Sequence, residues 1–335
     1  KSTHTEIMVG REEFFSWLPD ALGAMDQPTF DGINPYFVSR AARGAGLKVA
    51  LSGLGADELF GGYPFLRAIP HVSAAVRPLA WVPWGLRSAL IKTVGGSPVN
   101  RVSHRWKTLD LLGMNGEAPD DGCPPMLSAY QVVQTLFPSW SRRALLNHTA
   151  DDTTPFVNAM GLPREFVAFL REDLDGLDRH SALLLLSWRF FLGERCLRDT
   201  DTMSMGVSLE VRAPFTDHLF VERMLSVPGR IRAAPIPDKA FEQRLLMPWL
   251  RAAWTPRPKQ GFIMPFANWL GTSEGRNRIE PALHDRGHLE SIGMRAEAVA
   301  VVWRRHCADP IAMPWSRVWT IFALCEWCRR SDVTL

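Results

Sequence analysis

The chain has 335 residues, with 38 Lys and Arg against 35 Asp and Glu for a formal net charge of +3, and 46% of it is hydrophobic. That is enough apolar material for one large or two modest buried cores, while so small a charge gives no argument for nucleic acid as a partner. No run of about 18 apolar residues occurs, and the start lacks the basic-then-apolar plan of a leader, so neither a membrane span nor secretion is indicated. Five cysteines, Cys123, Cys196, Cys307, Cys325 and Cys328, are few and odd in number. They suit reduced cytoplasmic thiols better than a disulfide framework.

In chain order, residues 4–9 (HTEIMV) are strand-like. Residues 11–25 place Phe14, Phe15, Leu18, Leu22 and Met25 on one face, the stripe of a helix that packs on a sheet. A second helix is predicted over 35–45, with Asn34 as its cap and Gly46 as its stop. It delivers the chain into Lys48-Val49-Ala50-Leu51, a short apolar run that reads as a buried strand of a parallel sheet. No alternating pattern follows Tyr63, so the sheet is expected only at the front. This divides the chain into residues 1–66, a partial sheet region, and 67–335, a mostly helical remainder of the same domain.

Farther along, the Gly-, Pro- and Asp-rich stretch at 116–125 reads as a loop, residues 151–155 as another, and proline-rich punctuation returns at 255–259. Residues 181–198 read as one long helix. Cys325 and Cys328 have redox or half-zinc spacing, but they sit in an apolar-periodic helix with Trp315, Val318, Trp319 and Phe322, where core packing is the favoured reading. Between Glu58 and Asp110 the only charged residues are basic: Arg67, Arg77, Arg87, Lys92, Arg101, Arg105 and Lys107, with Trp81, Trp84 and Trp106 among them. A membrane-surface or RNA-binding helix is one reading. Pro83 and Gly85 break the helical period, and a domain or homodimer contact is favoured.

The densest chemistry lies in residues 47–63, LKVALSGLGADELFGGY. Ligands of parallel sheets bind past the carboxyl ends of the strands. Gly53 and Gly55 allow a tight turn that presents backbone N–H groups to a phosphate, and Asp57 and Glu58 are hard oxygen donors suited to magnesium. A plain turn followed by helix-capping carboxylates explains the same residues. Glu210 and Arg212 alternate on an extended segment, so both side chains fall on one side; they either pair to lock a loop or contact substrate, and Asp217 with His218 reads the same way. Asp199 and Asp201 either orient Arg198 or sit at a solvated helix end. Lys259, between Pro258 and Gly261, is either an exposed lysine or an ammonium that meets a phosphate.

SGLGADELFGGY closely resembles the ATP-site motif of the asparagine synthetase family, and three further blocks agree in order. These are DQPT-x-DG-x-N at 26–34, LRDTDTMSMGVSLEVRAPFTDH at 197–218, and Lys239 followed by RPKQGF at 257–262 with Pro265 and Trp269. The resemblance runs over about residues 5–270 and implies an α/β fold: a partial parallel sheet of the ATP-pyrophosphatase (adenine nucleotide alpha hydrolase-like) type with a large helical carboxy-terminal portion. It implies ATP contacts at Leu51, Ser52, Gly53 and Gly55, Mg2+ on Asp57, and charge stabilisation by Lys259. The implied reaction is adenylation of a carboxylate, with aspartate the family's acid, followed by displacement of AMP by ammonia from a glutaminase domain.

Three departures qualify it. No SGG-x-DS pyrophosphate loop occurs in these residues, so the chain alone is expected to be inactive or nearly so. The amino-terminal cysteine and glutaminase domain are absent, and the chain reads as the carboxy-terminal part of a longer protein. Leu54 stands where asparagine-forming relatives carry a glutamate that supports aspartyl-adenylate formation, which leaves the identity of the acid open. Rival readings are an intramolecular amide synthetase akin to the beta-lactam- and peptide-cyclising relatives, and a non-catalytic interaction module.

Overall fold

Phe14, Phe15, Leu18, Ala21 and Leu22 close the inner face of α1 (Arg11–Gly23) in the computed structural model, which describes residues 3–63, 65–66, 69–70, 74, 82–83, 86, 124–147, 161–232 and 264–334. Two compact units are present, Lys1–Tyr63 with Leu177–Pro265, and Pro64–Gly176 with Phe266–Leu335.

In the first unit the stripe of α1 meets α2 (Ile33–Gly44), with Phe14 stacked on Phe37 at 5.1 Å. Arg40 fixes the pair from outside, reaching Asp20 at 2.7 Å while lying over the Trp17 ring at 4.8 Å. The cap of α2 differs from expectation. Asn34 is inside the helix and donates to Asp31 Oδ1, while Thr29 Oγ1 accepts the amides of Asp31 and Gly32 at 3.2 Å each. A threonine thus does for the preceding turn what Asn34 was expected to do. Gly46 ends the helix as predicted, at φ +90°.

The sheet among the described residues has two strands. β1 (Val49–Leu51) pairs in parallel with β2 (Glu210–Arg212), in the register Val49 with Glu210 and Leu51 with Arg212. Three expectations are corrected here. Residues 4–9 form no strand. The sheet is not confined to the front, because its second strand comes about 160 residues later; a three-residue strand is too short to show an alternating pattern. β1 is also not buried, since Val49 is 43% and Leu51 75% exposed.

After β1 comes α3 (Ala56–Phe60), opened by Gly55 at φ +93° and closed by Gly61 at φ +71°. Helices α4 (Pro125–Gln134), α5 (Ser139–Leu145) and α6 (Arg164–Leu174) belong to the second unit. The first unit resumes with α7 (Arg179–Leu186), whose Asp178 cap accepts from the amides of His180 and Ser181. The predicted single helix over 181–198 is continuous but not uniform: Ser187–Leu197 is π-helical, and α8 (Arg198–Met205) follows directly. π-helical turns are rare and cluster at functional sites. Beyond β2, a 3-10 turn at Pro214–Thr216 leads to α9 (His218–Leu225) and α10 (Gly229–Arg232). Ala56, Leu59 and Phe60 of α3 pack against Trp188, Phe215, Phe220, Val221 and Met224.

The second unit continues with α11 (Phe266–Leu270), α12 (Ser273–His284), α13 (Arg286–Ser291), α14 (Ala296–Ala308) and α15 (Trp315–Ser331). Phe266 stacks on Trp315 and Trp319 at 4.7 and 5.8 Å. Cys325 and Cys328 are buried in α15, as the core-packing reading expected. No helix among the described residues is long and apolar enough to cross a membrane. The basic set from Arg67 to Lys107, Cys123, the loops at 151–155 and 255–259, Lys239, and residues 257–262 including Lys259 lie outside the described residues.

Candidate functional site

The parallel pairing of β1 and β2 brings the two halves of the predicted site to one place. Leu51 and Arg212 are register partners, and the Ser52 amide continues the ladder by donating to the Arg212 carbonyl at 2.7 Å. The turn that follows is shaped by its own residues. Ser52 Oγ accepts the Leu54 amide at 3.2 Å, and the Ala56 amide donates to the Gly53 carbonyl at 3.4 Å. The Leu54 and Ala56 amides are therefore engaged within the turn.

The two glycines differ. Gly55 is required by the fold: its φ is positive, and a Cβ there would come within 3.1 Å of Thr216 and 3.3 Å of Phe215. Among the described residues packing does not require Gly53, because a Cβ there would meet none of them within 4 Å.

Asp57 and Glu58 part company in α3. Glu58 is buried and accepts from the Tyr63 hydroxyl at 2.7 Å, so it is turned inward. Burial first, and then Glu58, hold the Tyr63 phenol far above its usual range. Asp57 lies against Gly62, where a Cβ would strike its Oδ1; the glycine leaves that carboxylate its room. Among the described residues no three His, Cys, Asp or Glu side chains converge as a metal cage.

Glu210 and Arg212 do pair, at 2.8 Å, with both side chains more than half exposed. Asp217 caps α9 by accepting the Phe220 amide at 3.0 Å. Phe215 and Phe220 on either side of it pack on α3, so the Asp217 segment buttresses the helix that carries Asp57. Asp199 departs from both of its readings. It is 4% exposed, and it accepts from Thr29 Oγ1 at 2.6 Å, whereas Arg198 turns to Asp26 at 3.3 Å. Burial pushes the Asp199 carboxyl up to about 6; the Thr29 bond and Arg195 oppose the shift, and Asp31 and Asp26 add to it.

Sequence reasoning passed over Thr29, Tyr63 and Arg195 as individual groups. Thr29 stands in the DQPT block and Tyr63 ends the GGY run, so the motifs pointed to their neighbourhood without giving their partners. Arg195 lies over the Phe191 ring at 4.3 Å and 5.8 Å from the Phe30 ring, and its Nη2 reaches Asp31 at 3.5 Å. Nothing in the local sequence distinguishes it from other helical arginines.

The Asparagine synthase family model matches residues 1–329. The chain is 25% identical over 326 residues to Asparagine synthetase [glutamine-hydrolyzing] 1 of Bacillus subtilis, covering 96% of this chain and 46% of that protein. It is 30% identical over 278 residues to a Mycobacterium tuberculosis protein provisionally named asparagine synthetase [glutamine-hydrolyzing], covering 81% of this chain and 38% of that one. It thus spans less than half the length of these curated relatives. No solved structure matches it. A family match that runs nearly end to end, over a chain whose SGLG block and SLEVR block are paired strand to strand, makes this protein a member of the asparagine synthase family.

Proposed function

We propose that the chain is the synthetase portion of a glutamine-dependent asparagine synthetase, which adenylates a carboxylate with ATP and forms an amide with release of AMP and pyrophosphate. The ammonia would come from a glutaminase domain, and aspartate is the first acid to test. The observation that carries the reading is the turn at the carboxyl end of β1: two residues past the register partner of Arg212 it has a glycine, Gly53, against which none of the described residues packs.

Each residue has a chemical task on this reading. Ser52 and Gly53 lie along the nucleotide, with Gly53 giving the phosphates an unobstructed approach to backbone. Gly55 holds the turn. Asp57, with the room left by Gly62, fits Mg2+ held in the manner usual for nucleotide sites, by one or two carboxylates together with substrate phosphates. The metal would neutralise phosphate charge. Lys259 supplies a fixed cation for charge that develops at the adenylate. Glu210 and Arg212 keep the neighbouring strand end in register.

Leu54 favours a second reading. With a hydrocarbon side chain where asparagine-forming relatives carry glutamate, the acid to be activated differs from aspartate, and the amine can belong to the same molecule. Intramolecular amide formation would then proceed without glutamine or ammonia.

The test is acid-dependent exchange of labelled pyrophosphate into ATP by the full-length protein. Exchange that depends on a carboxylic acid, and that falls by about a hundredfold or more in Lys259→Ala, supports adenylation. Substrate turnover without an added nitrogen donor selects the second reading. Exchange that ignores every carboxylic acid, or that is unaltered in Lys259→Ala, contradicts the assignment.

A further inference from the structure

Asp199 is a carboxylate that the reaction as described leaves without a task, and its surroundings are costly. It is almost wholly buried, and among the described residues no Lys or Arg nitrogen comes within ion-pair distance of it. Arg195 goes to Asp31 and Arg198 to Asp26. A buried carboxylate without a cation lowers stability at neutral pH, and groups kept at such cost concentrate at functional sites.

Its side-chain hydrogen-bond partner among the described residues is a node. Thr29 Oγ1 donates to Asp199 at 2.6 Å and accepts the amides of Asp31 and Gly32, so the turn that begins α2 is fastened to α8. The contacts then continue without a break. Asp31 meets Arg195 at 3.5 Å, and Arg195 lies on Phe191 at 4.3 Å. Phe191 packs on Tyr63 with ring centroids 4.9 Å apart, and Tyr63 donates to Glu58 at 2.7 Å, one residue from Asp57. The π-helical stretch supplies both Phe191 and Arg195.

We propose that Asp199 is a positioning residue for the Asp57 carboxylate, acting through Thr29, Asp31, Arg195, Phe191, Tyr63 and Glu58. It touches neither nucleotide nor metal. Ionised, it holds the Thr29 hydroxyl and thereby the turn, and with the turn the depth of Arg195 against Phe191. Protonated, it loosens the first link. The charged groups around it are accounted for: Asp26 and Asp31 from the turn, Arg195 and the Cys196 thiol from the π-helix, and Glu58 beyond Cys196. Of the charged residues on the other elements packed on α8, Arg40 of α2 is paired with Asp20, Arg43 donates to the Leu47 carbonyl, and Glu210 and Arg212 of β2 are paired with each other.

The inference rests on Asp57 serving a magnesium nucleotide. It is tested by titrating the full-length protein with Mg-ATP between about pH 5 and about pH 8, in the wild type and in Asp199→Asn, Thr29→Ser and Thr29→Val. Protonation of the nucleotide enters every variant alike and cancels in ratios to wild type. Asp199→Asn is expected to bind about three- to tenfold more weakly near pH 8, the scale of coupling carried through contiguous side-chain networks. That ratio should shrink toward one as the pH falls through about 6. Thr29→Ser should bind as the wild type does and Thr29→Val as Asp199→Asn does, since only the hydroxyl matters.

In a Tyr63→Phe background, Asp199→Asn should lose most of its effect, because the link to Glu58 is already cut. Thermal unfolding checks that the variants are folded. Equal affinity of Asp199→Asn and wild type at every pH, or an undiminished effect in the Tyr63→Phe background, overturns the inference while leaving nucleotide binding intact. A folded wild type that binds no Mg-ATP at any pH contradicts the nucleotide reading itself, and this inference falls with it.

Discussion

Gly53 and Gly55 show how two identical residues two positions apart answer to different constraints. Gly55 has a positive φ and Phe215 and Thr216 close against it, so Gly55→Ala should destabilise the first unit by about 1–3 kcal/mol. Gly53→Ala should leave the stability within about 0.5 kcal/mol of wild type; chemical denaturation followed by circular dichroism separates the two. The motif showed both glycines, but only the packing tells which one the fold itself demands.

Asp199 gives a pH signature at the same scale. Burial holds its carboxyl at about 6 in the folded protein, above the ordinary aspartate value of 3.8. Burying it therefore carries no penalty below about pH 4, where both states are protonated, and a penalty that grows as the pH rises from there through 6. A carboxyl raised this far costs roughly 2–3 kcal/mol of stability at neutral pH. Asp199→Asn should accordingly be more stable than wild type above pH 6, with the difference vanishing toward pH 4. A difference of opposite sign, or one that does not vary with pH, would show that the carboxylate is not held in a desolvated place. The sequence offered no sign of this burial, because Arg198-Asp199-Thr200-Asp201 reads as a polar helix start and its partner Thr29 is 170 residues away.

Among the elements, α1 was legible because its apolar spacing is long and one-sided, and α2 because Gly46 marks its stop. The helical character of 181–198 was legible too, but not its π-helical middle, since π and α turns draw on the same side chains. β2 escaped notice as a sheet member although the Glu210-x-Arg212 alternation had marked it as extended. A strand of three residues is defined by its partner, and the partner is β1.

The 3-10 turn and α9 after β2 are a buttress for α3, with Phe215 edge-on to Phe60 at 6.4 Å and to Phe220 at 5.8 Å. Phe215→Ala should cost about 2–4 kcal/mol of stability and weaken nucleotide binding through α3, which thermal unfolding and calorimetry would measure. Unchanged stability would mean that α3 is held from elsewhere. Asp217, expected near substrate or as a loop lock, caps the buttress helix, and Asp217→Asn should be tolerated better than Asp217→Ala because asparagine caps helices nearly as well.

At the scale of the molecule, the first unit is assembled from the front of the chain and from residues after Leu177. The intervening stretch belongs to the other unit, an interleaving that no local pattern announces. What was legible was the order of four motif blocks. Two of them, the SGLGADE and SLEVR runs, meet as parallel strands, and a third, DQPT-x-DG, meets the LRDTD run through Thr29 and Asp199.

The central claim is that the turn after β1 receives a magnesium nucleotide. Calorimetric titration of the full-length protein with ATP, with and without Mg2+, in wild type, Gly53→Ala and Asp57→Asn tests it most directly. The expected result is saturable, magnesium-dependent binding by the wild type, affinity at least about tenfold weaker in each variant, and an unaltered fold in Gly53→Ala. Gly53→Ala and Asp57→Asn proteins that bind Mg-ATP as tightly as the wild type would contradict it.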